Sequence, residues 1–215
     1  GTSTVKDSIT DEGFENIKLE ENKQSLHWIR GKERLTLYSP RKYPTNIPMV
    51  GLGKSVGGKV KNELVVINSF EELEKRKNEV KDKIVLYNVK WTNYHETVKY
   101  RYGPSKASKY GAKACIVRSI SPKSIESPHT GVTYYDENFP KIPAAAISLE
   151  SADMFQRMSD RGQKIILELE MEAHFEEEVS THNIIGEIEG SDYPNEIVLL
   201  GGHIDSWDVG PQSGA

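Results

Sequence analysis

An apolar run, Ile197-Val198-Leu199-Leu200, ends in Gly201-Gly202 and is followed at once by His203, Asp205 and Asp208. Ligand sites in open α/β sheets lie beyond the carboxyl ends of strands, and paired glycines let the backbone turn there without steric cost. In extended chain, His203 and Asp205 point to the same side. A neutral imidazole binds zinc through one nitrogen while the other donates to a carboxylate. The pair therefore suits a metal ligand with its orienting carboxylate, or two ligands of one site. It also suits a solvated loop with a hydrogen-bonded histidine, because a catalytic zinc needs about three protein ligands and His203 is the one histidine in this stretch. His27, His95, His129, His174 and His182 are scattered, with no H-x-x-H or H-x-x-x-H spacing, and read as surface or loop histidines.

Other chemistries fall away on spacing. No G-x-S-x-G elbow is present. Gly51-Leu52-Gly53-Lys54-Ser55 lacks the spacing of a phosphate-cradling loop, so its glycines mark a turn. Glu176-Glu177-Glu178 reads as a solvated acidic loop. The single cysteine, Cys115, lies in the apolar run Ala114-Cys115-Ile116-Val117, which excludes an intrachain disulfide and points to a buried, inert thiol.

Composition narrows the class. With 215 residues and a net charge of −4, the chain has neither the basic excess of a nucleic-acid binder nor the imbalance of a disordered segment. No apolar run approaches the ~18–20 residues of a membrane span. Gly1 to Ser8 carries neither the basic nor the apolar region of a signal peptide. The expectation is an excised piece of a longer protein.

The elements that must position these residues alternate. Residues 1–38 read as a polar helix or coil, then extended chain at Ile17–Glu20 and Leu35–Tyr38. Pro40, Pro44 and Pro48 suggest a crossing between structural units. Strands are expected at Leu64–Ile67, Lys83–Tyr87, Ala114–Val117, Ala144–Ile147, Lys164–Met171, Asn183–Ile188 and Glu196–Leu200. Ser69, with Glu71 and Glu72 after it, reads as a helix cap. Tyr94–Tyr110 is mostly helical with a break near Gly103-Pro104. Ser151–Arg161 is a helix with Met154, Phe155 and Met158 on its core face, stopped by Gly162. A long proline-marked loop covers Ser119–Pro143. Strands alternating with helices make an α/β chain of more than one unit.

The run Gly201-Gly202-His203-Ile204-Asp205-Ser206-Trp207-Asp208-Val209-Gly210 resembles the first zinc motif of the co-catalytic dizinc exopeptidases. The resemblance extends to His27–Gly31, Ile67–Leu73, Lys83–Asn88, Ser127–Gly131 and Lys141–Ala144. The middle also resembles a protease-associated domain, through the strand Lys83–Asn88, the run Ala107–Ala112 and Ile142-Pro143-Ala144. Gly210-Pro211-Gln212-Ser213-Gly214-Ala215 departs from the family run by an apparent extra residue.

The resemblance implies a strand-rich α/β protease-associated domain, residues 41–163, inserted into the start of a zinc-exopeptidase α/β domain, residues 1–40 and 164–215, that is incomplete here. It implies that His203 is a metal ligand and Asp205 the catalytic carboxylate that orients it. The bridging Asp, the Glu pair and the later Asp and His of such enzymes are not in this sequence. Two zinc ions are implied for the complete enzyme and none stably held by this chain. Small peptides, unblocked dipeptides among them, are the implied substrates, with no nucleic-acid or membrane partner. A homodimer of the full-length enzyme and a secreted or lysosomal location fit the same resemblance. The alternative is a non-catalytic protease-associated binding module or an inactive homologue.

Overall fold

The computed structural model describes residues 2–123 and 126–210. Two units are distinguished, Trp28–Phe175 and the paired segments Gly1–His27 and Glu176–Ala215. In the paired segments, α1 (Thr2–Asp11) leads into β1 (Glu15–Ser25), a strand longer than the expected Ile17–Glu20.

The larger unit begins with β2 (Trp28–Ile29), β3 (Glu33–Ser39), β4 (Thr45–Ile47), β5 (Met49–Gly51) and β6 (Gly58–Ile67). After β6 come α2 (Phe70–Lys75), β7 (Ile84–Tyr87), α3 (Tyr94–Val98), a 3-10 turn, α4 (Gly103–Ser108) and β8 (Ala114–Arg118). It closes with β9 (Ala144–Ile147), α5 (Leu149–Asp160), β10 (Ile166–Met171) and β11 (His174–Phe175). The remaining strand of the paired segments is β12 (Val179–Glu187), antiparallel to β1 in a register that sets Leu19 opposite Ile184.

Among the described residues of the larger unit, eight strands form one sheet in the order β4-β3-β10-β6-β7-β8-β9-β5. β6 to β9 run parallel, and the flanking strands pair antiparallel. The parallel strands are continuous apolar runs because both faces are covered. Leu64, Val66, Ile84, Leu86 and Ile116 join Ala152, Phe155 and Met158 of α5 in one core. Val65, Ile67, Val85, Tyr87 and Cys115 join Leu73 of α2 and Ala107 of α4 in the other.

The helix starts follow from their caps. Ser69 Oγ accepts from the Glu72 amide at 3.0 Å, and the Glu72 carboxylate accepts from the Asn68 amide at 2.8 Å. Ser148 caps α5 by accepting from the Ser151 amide at 3.1 Å, so the helix begins two residues before the expected Ser151.

Three expectations are corrected. Glu196–Leu200 is not a strand: residues 188–210 contain no helix or strand, and Ile197 to Leu200 are 86–89 % exposed. β-structure needs a hydrogen-bonding neighbour, and among the described residues none pairs with this run. The prolines near residue 40 do not mark a crossing between units; they flank β4 inside the large sheet. The compact unit is wider than 41–163, because β3 and β10 pair with each other and β10 pairs with β6.

The glycine-rich stretch that starts at the end of β5 serves close packing. A side chain at Gly51 would lie 2.5 Å from a Glu33 carboxylate oxygen, the same oxygen that accepts from the Gly51 amide at 2.9 Å. At Gly57 it would meet the Met171 carbonyl at 2.7 Å.

Candidate metal centre

His203 and Asp205 do meet. Nδ1 of His203 lies 2.8 Å from Oδ1 of Asp205. With the Nδ1 proton donated to the carboxylate, Nε2 keeps its lone pair for a metal. The carboxyl of Asp205 is held below its ordinary value, first by the hydrogen bond from His203 and then by its own backbone amide. Both side chains are exposed, at 55 % and 77 %. The local cause of the pairing is the two-residue spacing in extended chain after Gly202. Asp208 follows in a turn closed by the Gly210 amide on the Trp207 carbonyl. Residues Pro211 to Ala215 lie outside the described residues.

The donor set tests the fit of a zinc ion. Among the described residues, no three His, Cys, Asp or Glu side chains converge. One imidazole and its orienting carboxylate are present; a complete cage for zinc is not, and no zinc-dependent step follows from these residues alone. The other histidines lie apart from this pair. His27 Nδ1 lies 3.5 Å from Glu176, the His129 amide donates to Ser119 Oγ, and His174 Nδ1 contacts the Glu172 carbonyl at 2.9 Å. His95 packs edge-on to Tyr94, and His182 sits on β12 opposite Glu21. Cys115 is fully buried, and burial pushes its thiol far above the ordinary range, so it offers no thiolate.

Two polar features escaped the sequence reading. Arg118, at the carboxyl end of β8, reaches Asn88 after β7 and Asp153 on α5. A cleft walled by Tyr102, Tyr134 and Phe139 opens elsewhere in the same unit. Both assemble residues tens of positions apart, and no short-range spacing signals either one.

No family model matches the chain. Over 207 residues it is 44 % identical to carboxypeptidase Q of Xenopus laevis, spanning 94 % of this chain and 44 % of that protein. The human carboxypeptidase Q is 42 % identical over 207 residues, spanning 94 % of this chain and 43 % of that one. The chain is similar to carboxypeptidase Q proteins over nearly its whole length. The family resemblance carried by the motifs is thereby borne out, as is a strand-rich α/β fold of peptidase type. A solved peptidase M28 precursor from Shewanella amazonensis SB2B matches with a TM-score of 0.84 at 28 % identity, over 96 % of this chain and 48 % of that one. An aminopeptidase from Aneurinibacillus sp. strain AM-1, at 17 % identity and a TM-score of 0.61 over 88 % of this chain and 42 % of that one, shares the fold. The chain spans 44 % of the length of the Xenopus carboxypeptidase Q, under half of that relative.

Proposed function

We propose that this chain carries part of a zinc-dependent exopeptidase, in which His203 ligates a metal and Asp205 orients it. The observation that carries the reading is the 2.8 Å contact between these two side chains directly after Gly201-Gly202, in a chain 44 % identical to a carboxypeptidase Q. The further ligands and a general base come from sequence beyond this chain. Zinc, two ions in the assembled site, would supply a Lewis acid and an activated water. Substrates are small peptides with free termini, unblocked dipeptides among them, and the setting is secreted or lysosomal. The unit Trp28–Phe175, which contains residues 41–163, acts as an inserted protease-associated domain, and the full-length enzyme is a homodimer. Alone, the 215-residue chain hydrolyses no dipeptide.

The test uses a protein extended to the length of its relatives. Purified without added metal, it should contain zinc by elemental analysis and cleave an unblocked dipeptide in a chelator-sensitive manner. His203→Ala should abolish turnover while circular dichroism stays unchanged. Undiminished turnover in that variant would overturn the assignment. The second reading is a non-catalytic protease-associated binding module or an inactive homologue. An extended protein that binds neither zinc nor cleaves dipeptides would select it.

A further inference from the structure

The cleft beside Tyr102 and Tyr134 has the size and chemistry of a ligand site. Its volume is about 440 Å³, within the ~300–1,000 Å³ of small-molecule pockets. Tyr102 and Tyr134 stack at 5.1 Å and 16°, and both rings stay about half exposed, at 48 % and 47 %. Tyr135 and Phe139 add to the aromatic lining, and Lys106 and Lys109 line the same cleft. The two lysines are three residues apart across the end of α4, so they share a face.

The wall is fixed before any ligand arrives. The Asp136 amide donates to Ser105 Oγ at 2.8 Å, and the Tyr135 hydroxyl donates to the Ile142 carbonyl at 2.6 Å. Below it, Arg101 donates to the Thr130 carbonyl at 2.8 Å, and Thr133 Oγ1 donates to the Arg101 carbonyl at 2.7 Å. The guanidinium of Arg101 fills the place a side chain at Gly131 would take. Such a loop loses little freedom on binding.

The charges around the cleft are unevenly committed. Glu74 accepts from the Tyr110 hydroxyl and lies 3.9 Å from Lys109. Asp136 accepts from the amide and side chain of Asn138, at 2.9 and 2.8 Å. Lys106 has no carboxylate partner among the described residues; its ammonium sits 4.7 Å from the Phe70 ring centre. Lys54 likewise has no carboxylate partner among the described residues, and its ammonium sits 5.2 Å from the Tyr134 ring centre. The cleft therefore presents aromatic faces beside two cations, Lys106 and Lys54, that no carboxylate pairs.

We propose that this cleft binds a small carboxylate with an aromatic or bulky apolar body, the chemistry of a peptide's C-terminal residue. The body lies against Tyr134 and Phe139, and the carboxylate takes a charge-assisted hydrogen bond from Lys106. Every residue involved lies within Trp28–Phe175, so the inference is independent of the zinc reading.

The experiment titrates the 215-residue chain with N-acetylphenylalanine, its amide, 3-phenylpropionate and N-acetylglycylphenylalanine, followed by amide NMR shifts. The acids should perturb Lys106, Tyr134 and Phe139, and the amide should bind at least about tenfold more weakly, as the loss of a charged hydrogen bond requires. Tighter binding of the dipeptide than of phenylpropionate identifies a peptide terminus; equal binding identifies any aryl carboxylate. Lys106→Gln should weaken the acids by about tenfold and leave the amide unchanged, while Lys106→Arg retains most of the binding. Tyr134→Ala should weaken acid and amide alike, with circular dichroism checking the fold. Equal affinity for acid and amide, an unaltered Lys106→Gln, or shifts confined to other surfaces would overturn the proposal.

Discussion

Arg118 and Asp153 meet at two points, with Nη1 2.6 Å from Oδ1 and Nη2 3.2 Å from Oδ2. Arg118 ends β8 and its side chain is 8 % exposed, while the Asp153 side chain on α5 is 40 % exposed. The same Nη1 donates to Asn88 Oδ1 at 2.9 Å, and Asn88 Nδ2 donates to Gln156 Oε1 at 3.0 Å. The contact thus ties the ends of two parallel strands to the helix that covers them. Nε of Arg118 is buried with no acceptor among the described residues, so the carboxylate bears most of the compensation.

The first prediction follows from that asymmetry. Asp153→Ala leaves a buried guanidinium poorly compensated and should cost about 1–3 kcal/mol. Arg118→Met removes the buried charge itself and should cost less. Urea unfolding of both variants decides the order; a larger loss in Arg118→Met would contradict it.

Acid sensitivity is the second. The carboxyl of Glu170 on β10 is held low, first by the hydrogen bond from Lys59 and then by that from Arg34. A carboxyl lowered in the folded state stabilises above its unfolded value and loses that stabilisation as pH falls through it. The loss should therefore begin near the ordinary value of 4.5 and grow below it. Because the pair is exposed, the effect should be small and weakened by salt. In Glu170→Gln the urea midpoint should fall less steeply below about pH 4.5 than in the parent chain; identical pH profiles would count against the assignment.

Much of the fold was legible because its physics is local. β7 and β8 are apolar at nearly every position, which marks strands covered on both faces. Ser69 and Glu72 form a cap within four residues. His203 and Asp205 were legible for the same reason, since two-residue spacing alone brings them together. What escaped depends on distant partners. Glu168 on β10 faces Thr36 on β3 in the sheet, a pairing that no window of sequence contains. The run Ile197–Leu200 has the composition of a strand, but a strand needs a neighbour as well as a pattern.

Cys115 supports a third prediction. It is 0 % exposed, between Val85 on β7 and Ala144 on β9 in the sheet, and burial drives its thiol upward, away from the reactive thiolate. A disulfide reagent should label it only at the rate of unfolding, rising with urea in step with loss of secondary structure. Rapid labelling of the native chain would show that the strand opens on its own.

The His203–Asp205 pair supports a fourth. Asp205 should titrate below 3.8 in a side-chain NMR experiment, because the imidazole stabilises its charged form. His203→Ala should return it toward the ordinary value. In a protein extended to the length of its relatives, Asp205→Ala should lower zinc affinity or activity by about 10–100-fold. The 215-residue chain, with one imidazole and its carboxylate, should bind zinc weakly and reversibly by calorimetry. Tight, stoichiometric zinc binding would mean that ligands outside this pair take part.

The fifth concerns what folds alone. The sheet of the larger unit depends on β3 and β10, which lie outside residues 41–163. β10 bridges β3 and β6, setting Leu169 beside Leu35 on one edge and Val60 on the other. Leu35, Leu37, Leu167 and Leu169 are each at most 1 % exposed and belong to the core beneath α5. A chain of residues 41–163 would lose these four leucines and Met171, leave β4 without its partner and bare the edge of β6. At about 1.5–3 kcal/mol for each buried side chain, the loss is comparable to the ~5–15 kcal/mol that holds a whole domain together. Residues 28–175 keep every strand of that sheet. The shorter chain should therefore give a poorly dispersed amide spectrum and a broad urea transition. The longer one should give dispersed signals and a single cooperative transition. Cooperative unfolding of residues 41–163 at the midpoint of the longer chain would show that β3 and β10 are appended to the core, and the boundary would return to the prolines near residue 40.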